Sequence, residues 1–275
     1  MTITRRAALL APVFTALAAA ARAQGAEIGT AARPLRIAGT AGPHSQVLEK
    51  VKEIAARPDG PGQGLVLRVI EFSDYIQPNA ALAAGDLDAN SYQHAPFLEQ
   101  AVRDRGYPIV AVAKTLVFPM GLYSKRIRSV DALSNGARVA IPNDPTNGGR
   151  ALVLLASKGA FTLRPGADFR ATVADITANP KRLRIVELEA PQLPRALEEV
   201  ELAAINTNFA VPAGLNPVRD AIAIESADSP YANLIAVRRQ DEHAPWVPRL
   251  VASYQNDEVK AFVRDTFGGS VVPAF

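Results

Sequence analysis

The sequence of 275 residues contains no cysteine and only three histidines. Without cysteine, disulfides, thiolate nucleophiles and zinc sites built on thiolates are excluded. His44, His94 and His243 lie far apart in the chain and form no local metal-binding pattern. We therefore expect neither a metal site nor a cofactor.

Motifs for catalysis are also lacking. No G-x-S-x-G sequence is present, and Gly148 and Gly149 precede an arginine instead of the Lys-Ser/Thr of a phosphate-binding loop. Asp86 and Asp88 in "GDLDAN" could act as paired carboxylates, but their spacing near the start of a strand favours solvated turn residues. The sequence thus predicts a protein that is not an enzyme.

The first 23 residues have the pattern of a secretory signal peptide. Arg5 and Arg6 precede an apolar stretch at residues 7–20, and an A-x-A cleavage site follows at residues 21–23. The apolar stretch is shorter than the roughly 20 residues that a membrane-spanning helix needs. We predict cleavage after Ala23 and export, by either the general secretory or the twin-arginine route.

The positive net charge belongs to this leader. Its removal takes away three arginines and no acidic residue, which leaves 27 Lys and Arg against 27 Asp and Glu. The charge of the mature chain therefore favours neither nucleic acid nor an anionic membrane as a partner. Because the chain also lacks the cysteine that carries a lipoprotein anchor, we predict a soluble exported protein.

Short β-branched runs alternate with helix-like segments, which is typical of an α/β fold. The predicted strands lie at residues 35–39, 66–72, 109–116, 137–141, 183–189 and 234–239. The predicted helices lie at residues 44–56, 92–105, 147–158, 192–200 and 257–266. Turn residues near Pro119 and Pro230 indicate two crossings between lobes. We expect residues 34–116 and 229–275 to form one lobe and 117–228 the other, with a ligand cleft between them.

The stretch "IPNDPTNGGRALVLL" places Arg150 near the start of a predicted helix. A helix N-terminus carries a partial positive charge, so a cation there indicates that an anion is also bound. Arginine suits a carboxylate or a phosphate, and Gly148 and Gly149 would let a ligand approach the backbone closely. The alternative is an Arg150 side chain that extends into solvent.

Four aromatic residues lie at predicted boundaries between loops and helices. They are Tyr75, Tyr92, His94 and Phe97. Together they could form a wall around an apolar side chain of a ligand. Alternatively, Tyr92 and Phe97 are core residues of one helix and His94 is a structural histidine.

Longer stretches of the chain resemble one known family. They are "EFSDYIQPN", "GDLDANSYQH", "IPNDPTNGGRALVLL", "TVADITANPKRLRIVELEAPQLPRAL", "INTNFA" and "DSPYANLIAVR". In this order, and from residue 35 to the terminal "VPAF", the chain is similar to the NlpA/MetQ family of substrate-binding proteins of methionine ABC importers. The resemblance implies a two-lobed periplasmic-binding-protein fold of type II-like topology, with the ligand in the cleft. It further implies a periplasmic monomer that delivers a free amino acid, most often L-methionine, to a permease and its ATPase.

The resemblance also assigns roles to individual residues. Arg150 matches the arginine that pairs with the ligand carboxylate, and Asn206 and Asn233 match asparagines that bind the backbone groups of the amino acid. Asn147 is a secondary candidate at the same turn as Arg150. Tyr75, Tyr92, His94 and Phe97 fall where the family surrounds the side chain of the ligand.

The chain departs from many of these relatives at the aromatic positions and at the lipoprotein cysteine, which it lacks. Relatives often carry phenylalanine where this chain has Tyr92 and tyrosine where it has Phe97. If the Tyr92 hydroxyl faced the ligand, a polar or oxidised side chain would be preferred over methionine, because an unpaired buried donor costs about 1–3 kcal/mol.

Two other functions are possible: a receptor that presents its ligand to a membrane sensor, and an enzyme on the same scaffold.

Overall fold

Two β-sheets with helices packed against them make up residues 27–275, the part of the chain described by the structure, a computed structural model. The predicted signal peptide lies outside these residues. In chain order the strands are β1 (Leu35–Thr40), β2 (Leu67–Phe72), β3 (Ala89–His94), β4 (Ile109–Val117), β5 (Gly121–Tyr123), β6 (Arg138–Pro142), β7 (Thr162–Leu163), β8 (Ile176–Ala178), β9 (Arg184–Leu188), β10 (Leu202–Ile205), β11 (Ala223–Ile224), β12 (Ala232–Arg238) and β13 (Val272–Pro273). The helices are α1 (Pro43–Ala55), α2 (Gln77–Ala84), α3 (Ala95–Arg105), α4 (Pro145–Ser157), α5 (Leu193–Ala196), α6 (Thr207–Ala210), α7 (Trp246–Tyr254) and α8 (Asp257–Phe267).

The larger sheet has the strand order β13-β4-β12-β3-β1-β2, and the smaller sheet has the order β11-β5-β10-β6-β9. β7 and β8 form a separate pair. We call the half of the molecule built on the larger sheet lobe 1 and the half built on the smaller sheet lobe 2. The predicted two-lobed α/β fold is confirmed.

Strand pairing brings polar residues of both lobes to the ends of their sheets. β1, β2 and β3 run parallel, so Thr40 and His94 at their carboxyl ends lie at one edge of the larger sheet. β12 runs antiparallel to β3, and its register sets Asn233 opposite His94. In lobe 2, β6 and β10 are parallel, so the start of α4 after Pro142 and Asn206 after β10 also share an edge.

Apolar helix faces fix these edges in place. Val47, Val51 and Ile54 of α1 lie on one helix face and have no exposed surface. In lobe 2, Leu152 and Leu155 of α4 are buried in one apolar cluster with strand β6. Burial of a leucine or isoleucine side chain contributes roughly 1.5–3 kcal/mol, so the two cores hold the loops at their edges firmly.

The six predicted strands are present, with ends within two residues of the predicted ones. The predicted helix at residues 92–105 is wrong at its start, because residues 92–94 belong to β3.

The sequence "ANSYQH" of β3 contains almost no apolar residue, although the strand is buried throughout. Its amides bond to one another: Asn90 donates to Asn79, and Gln93 donates to both. Burial of a polar strand is possible because these groups are satisfied internally.

Asp88 was expected at a solvated turn, and this expectation is wrong. Its side chain is buried and accepts hydrogen bonds from the backbone and the guanidinium of Arg36, at 2.9–3.1 Å. Burial alone would raise the pKa of Asp88, but the hydrogen bonds from Arg36 hold that pKa below its ordinary value. Asp88 therefore has a structural role in joining β1 to the start of β3.

The chain passes between the sheets twice, after β4 and again between β11 and β12. We propose that the lobe boundaries lie in these two segments, at residues 117 and 229, as the sequence predicts. No helix among residues 27–275 has the length and apolar character needed to cross a membrane.

Candidate functional site

A small cavity of about 20 Å³ lies where the polar edges of the two lobes meet. All eight residues predicted to bind a ligand line it: Tyr75, Tyr92, His94, Phe97, Asn147, Arg150, Asn206 and Asn233. Four other lining residues were not predicted: His44, Gln93, Phe118 and Asn208. The structure thus brings the predicted residues together, while their contact with a ligand stays a prediction.

The aromatic residues of lobe 1 form one packed group. Tyr75 lies 6.1 Å from Tyr92 and 5.9 Å from Phe97 between ring centroids, and His94 lies 6.2 Å from Phe97. The rings meet at tilted or edge-on angles, which aromatic pairs prefer. Tyr92 and Phe97 come from β3 and α3, so they are not core residues of a single helix.

The hydroxyl of Tyr92 is already used within the protein. It donates a hydrogen bond to the backbone carbonyl oxygen of Tyr75 at 3.0 Å. Burial raises the pKa of Tyr92 well above its ordinary value, so the hydroxyl keeps its proton. The sequence-based reason to expect a preference for polar ligands, an unpaired hydroxyl in the cavity, is therefore wrong.

Arg150 lies in the second turn of α4, with 2% of its surface exposed. The alternative of a solvent-extended side chain is therefore wrong. Its Nε donates to Glu225 Oε1 at 3.0 Å, and its Nη2 donates to Glu225 and to the carbonyl oxygen of Phe118, the latter at 2.8 Å. The carboxylate of Glu225, from the same chain, is therefore one anion beside Arg150. Nη1 has no hydrogen-bond partner among residues 27–275 and remains available beside the cavity.

The adjacent glycines at the start of α4 serve packing. A Cβ atom at Gly148 would lie 2.8 Å from the carbonyl oxygen of Pro142, and one at Gly149 would lie 2.1 Å from that of Phe169. Both positions are therefore filled by backbone, not held open for a ligand. The tight packing sets the direction in which the helix carries Arg150.

A polar network at the start of α4 positions Asn206. Asp144 caps the helix and accepts hydrogen bonds from the backbone and the side chain of Asn147. Asn147 Oδ1 in turn accepts a bond from Asn206 Nδ2 at 2.9 Å. Asn206 Oδ1 is buried and has no protein partner in the described part of the chain. An unpaired buried acceptor is costly, so this oxygen is suited to bind a donor in the cavity.

His94 is held as a neutral ring. Its Nδ1 accepts a hydrogen bond from the backbone N–H of Phe97, so Nε2 carries the proton and donates to Asn147 Oδ1 at 3.2 Å. Burial, with a smaller contribution from the positive charge of Arg150, lowers the pKa of His94 to about 3. Because both nitrogens have protein partners, His94 offers the cavity the surface of its ring and no charge.

His44 was missed because it lies far along the chain from the other site residues. It sits in the first turn of α1, directly after β1, so the carboxyl-end edge of the sheet could have indicated it. Its Nδ1 lies 2.7 Å from Thr40 Oγ1, and its Nε2 lies 3.1 Å from Asn233 Oδ1. Burial lowers the pKa of His44 to about 4, and its ring lies 4.1 Å from that of Phe118.

The site offers recognition and little chemistry. The charge of Arg150 is balanced by Glu225, and the two histidines of the cavity are neutral. Residues 27–275 contain no cluster of three side chains that could hold a metal ion. The cavity suits a small molecule with an anionic end for the unbonded guanidinium nitrogen and a donor for the unbonded amide oxygen. An apolar part of that molecule would pack against the aromatic group.

Comparison with known proteins identifies close relatives. The family model described as NlpA lipoprotein matches residues 35–275. The D-methionine-binding lipoprotein MetQ of Salmonella typhi is 47% identical over 226 residues, which cover 82% of this chain and 83% of that protein. The corresponding protein of Escherichia coli K12 is 46% identical over the same shares of the two chains. A solved structure of a nutrient binding protein from Burkholderia cenocepacia, bound to methionine, matches with a TM-score of 0.84 and 50% identity, covering 88% of this chain and all of that one.

These relatives bear on two further predictions. The family consists of substrate-binding proteins and not of enzymes, which confirms that prediction. The expectation of a soluble, untethered protein is not confirmed, because the relatives are described as lipoproteins, although the printed sequence has no cysteine. The match over residues 35–275 and the identities of 46–50% establish that the chain belongs to the NlpA lipoprotein family.

Proposed function

We propose that this protein captures methionine outside the cytoplasm and delivers it to the permease of an ABC importer. The observation that carries the proposal is the methionine-bound relative from Burkholderia cenocepacia, which is 50% identical to this chain. The cavity between the lobes supports the proposal, because it offers a partner for each part of a free amino acid.

The carboxylate of the ligand binds Arg150 in this proposal. Nη1 of Arg150 is the guanidinium nitrogen left without a hydrogen-bond partner among the described residues, and Arg150 lines the cavity. Charge-assisted hydrogen bonds of this kind are about twice as strong as neutral ones. Glu225 holds the guanidinium plane in place through two of its other nitrogens.

The ammonium group binds the buried oxygen Asn206 Oδ1, which needs a donor. Asn233 also lines the cavity, and its Oδ1, which accepts one bond from His44, has a second lone pair for the same end of the ligand. Since Glu225 already balances the charge of Arg150, an anion alone would leave the site with a net negative charge. A zwitterion keeps the buried charges matched and is therefore favoured.

The thioether side chain packs against the aromatic group of lobe 1. Tyr75, Tyr92 and Phe97 present ring faces and edges, and a sulfur–aromatic contact contributes roughly 0.3–1.5 kcal/mol. The group carries no polar atom that methionine would leave unpaired, since the Tyr92 hydroxyl is bonded to the protein. The bound ligand would contact both lobes and so favour their closure.

The cellular setting is part of the proposal. The export leader predicted at residues 1–23 and the descriptions of the relatives support a location in the periplasm, where a monomer would meet a permease and its ATPase. Stimulation of the ATPase of a co-encoded transporter by the methionine-loaded protein would test delivery.

Binding itself is tested by native mass spectrometry of protein purified without added ligand, followed by calorimetry with L-methionine and D-methionine. Norleucine, which has the same shape without sulfur, and leucine are the matched control ligands. We expect at least one enantiomer of methionine to bind more tightly than both controls. A protein that binds neither enantiomer would refute methionine as the substrate.

A further inference from the structure

Asn208 lies in the cavity wall but bonds only across the cleft. It belongs to α6 of lobe 2 and has 2% of its surface exposed. Its Oδ1 accepts a hydrogen bond from the Tyr75 hydroxyl at 2.6 Å, and its Nδ2 donates to Thr40 Oγ1 at 3.2 Å. Both partners belong to lobe 1, since Tyr75 follows β2 and Thr40 ends β1.

Asn206, two residues earlier, bonds in the opposite way. Its Nδ2 donates to Asn147 of its own lobe, and its Oδ1 is left for a donor in the cavity. Asn208 has no unpaired buried atom and directs both ends of its amide at lobe 1. The two asparagines therefore divide two tasks, contact with a ligand and contact between lobes.

The backbones of the two lobes also approach closely beside Asn208. A Cβ atom at Gly42 would lie 2.6 Å from Pro212 Cγ and 3.2 Å from the backbone oxygen of Asn208. Gly42 also has φ +88°, a conformation that favours glycine. The contact between Asn208 and lobe 1 is thus part of a tight seam, where the distance between the lobes has little freedom.

A chain of hydrogen bonds runs from this seam to the far side of the cavity. Nε2 of His44 lies against an acceptor, Asn233 Oδ1, so it carries the proton and donates it there. Thr40 Oγ1 accepts a bond from Asn208 and directs its own proton at the unprotonated Nδ1 of His44. The directions of these bonds are coupled, so a change at the Asn208 amide alters the preference of the whole chain.

We infer that Asn208 is a positioning residue that holds the cleft closed and, through Thr40 and His44, sets the orientation of the Asn233 amide. The inference rests on the proposed function, because Asn233 is placed there at the ammonium end of the ligand. Asn208 acts without touching the ligand itself. Its loss therefore changes how long methionine stays bound more than how fast it enters.

The first test compares Asn208→Ala with Asn179→Ala by stopped-flow measurement of methionine binding. Asn179 is the matched control, because its side chain makes two hydrogen bonds to Leu183 within lobe 2, away from the cavity. Loss of two bonds across the cleft is expected to raise koff about tenfold and to change kon less than about twofold. Asn179→Ala should leave both rate constants as in the wild type.

A second variant keeps the test decisive if Asn208→Ala folds poorly. Tyr75→Phe removes only one of the two bonds and should raise koff by a smaller factor. In the double variant Tyr75→Phe/Asn208→Ala, koff should equal that of Asn208→Ala, because both changes remove the same bond. Fully additive effects of the two substitutions on koff would overturn the assigned contact.

The third test reads the tautomer of His44 by nitrogen-15 NMR of the imidazole in methionine-bound protein. We expect a protonated Nε2 and an unprotonated Nδ1 in the wild type and a mixture of tautomers in Asn208→Ala. A merely structural role of Asn208 would not change this tautomer. Wild-type protein that fails to bind methionine would refute the proposed function. Wild-type protein that binds it, while Asn208→Ala keeps the wild-type koff and tautomer, would overturn only the inference.

Discussion

Two buried arginines have the same kinds of partner, but only Arg150 lines the cavity. Arg238 ends β12 at the edge of lobe 1 away from the cavity, where its Nη1 donates to the carbonyl oxygens of Leu82 and Leu87. Its Nη2 lies 2.6 Å from Asp241. Arg150 also bonds a carbonyl oxygen and a carboxylate, but through Nε and Nη2 only. Nη1 of Arg150 keeps its donors for the cavity.

The difference separates structural from functional groups in this protein. Burial and a carboxylate partner are common to both arginines, so neither property marks a binding residue. Arg150 and Asn206 are distinguished by lining the cavity while keeping an atom without a protein hydrogen bond, Nη1 of Arg150 and the buried Oδ1 of Asn206. We expect ligand affinity to depend on such atoms and stability to depend on the others.

The largest expected effect is that of Arg150→Met. Methionine affinity should fall at least about 100-fold, because the ligand carboxylate loses its cation. The free energy of unfolding should also fall, by about 3–5 kcal/mol, since the largely buried Glu225 loses its cation and keeps only the hydrogen bond from the backbone N–H of Met120. Calorimetry and urea unfolding measure the two effects separately.

A double variant separates these two consequences. Arg150→Met/Glu225→Gln removes the uncompensated charge as well, so most of the lost stability should return while binding remains weak. Recovery of both stability and methionine affinity in the double variant would contradict the role proposed for Arg150.

Arg238→Met should affect stability alone. Asp241 loses its ion pair and Asp88 keeps only Arg36, so the free energy of unfolding should fall by about 3 kcal/mol. The methionine affinity of the folded protein should stay within about threefold of the wild type. A loss of affinity as large as that of Arg150→Met would break the distinction between the two arginines.

Lowering the pH should reduce the stability contributed by the two cavity histidines and the stability contributed by Asp88 in different pH ranges. His44 and His94 have pKa values lowered to about 4 and about 3, so below pH 6.5 the unfolded chain binds protons that the folded protein does not. The free energy of unfolding should therefore fall by about 3 kcal/mol between pH 6.5 and pH 5. The stability from Asp88, whose folded pKa lies below its ordinary value of 3.8, is lost only at lower pH.

Urea unfolding at a series of pH values measures this dependence. His44→Gln should reduce the loss between pH 6.5 and pH 5 by about half, because one of the two buried neutral histidines is removed. An unchanged slope in that variant would show that His44 is not held neutral in the folded protein.

The smallest effect is expected for Tyr92→Phe. Its hydroxyl is already bonded within the protein, so the variant should lose about 1 kcal/mol of stability and keep its methionine affinity within about threefold. Competition between methionine and methionine sulfoxide checks the ligand preference. A preference that shifts when the hydroxyl is removed would place that hydroxyl against the ligand after all.

Most of the longer apolar strands were predictable, although the apolar, buried β10 was missed as well as the polar β3. β1 and β6 have β-branched, buried sequences that indicate strands directly. β3 was missed because its asparagines and glutamine are satisfied by Asn79, which lies ten residues or more earlier in the chain. A periodicity argument cannot detect that compensation, because the partner comes from another element.

The residues of the site were predictable where they lie in stretches that resemble the family. Arg150, Asn206 and Asn233 stand in long stretches that resemble one family, and all three line the cavity. Glu225 lies outside these stretches, and Asn208 lies in the same stretch as Asn206 but was assigned no role, since their partners lie 75 and more than 100 residues away along the chain.

The sequence by itself determined the α/β alternation, the two-lobed fold and the set of polar and aromatic residues that would meet in a cleft, because these follow from local patterns and from resemblance. Only the tertiary structure decided which of those residues have bonding capacity left. Hydrogen-bond partners of buried groups come from distant parts of the chain, and each partner uses up a donor or an acceptor. The folded protein thus pairs the hydroxyl of Tyr92 with Tyr75 and the charge of Arg150 with Glu225, and leaves Asn206 Oδ1 without a protein partner.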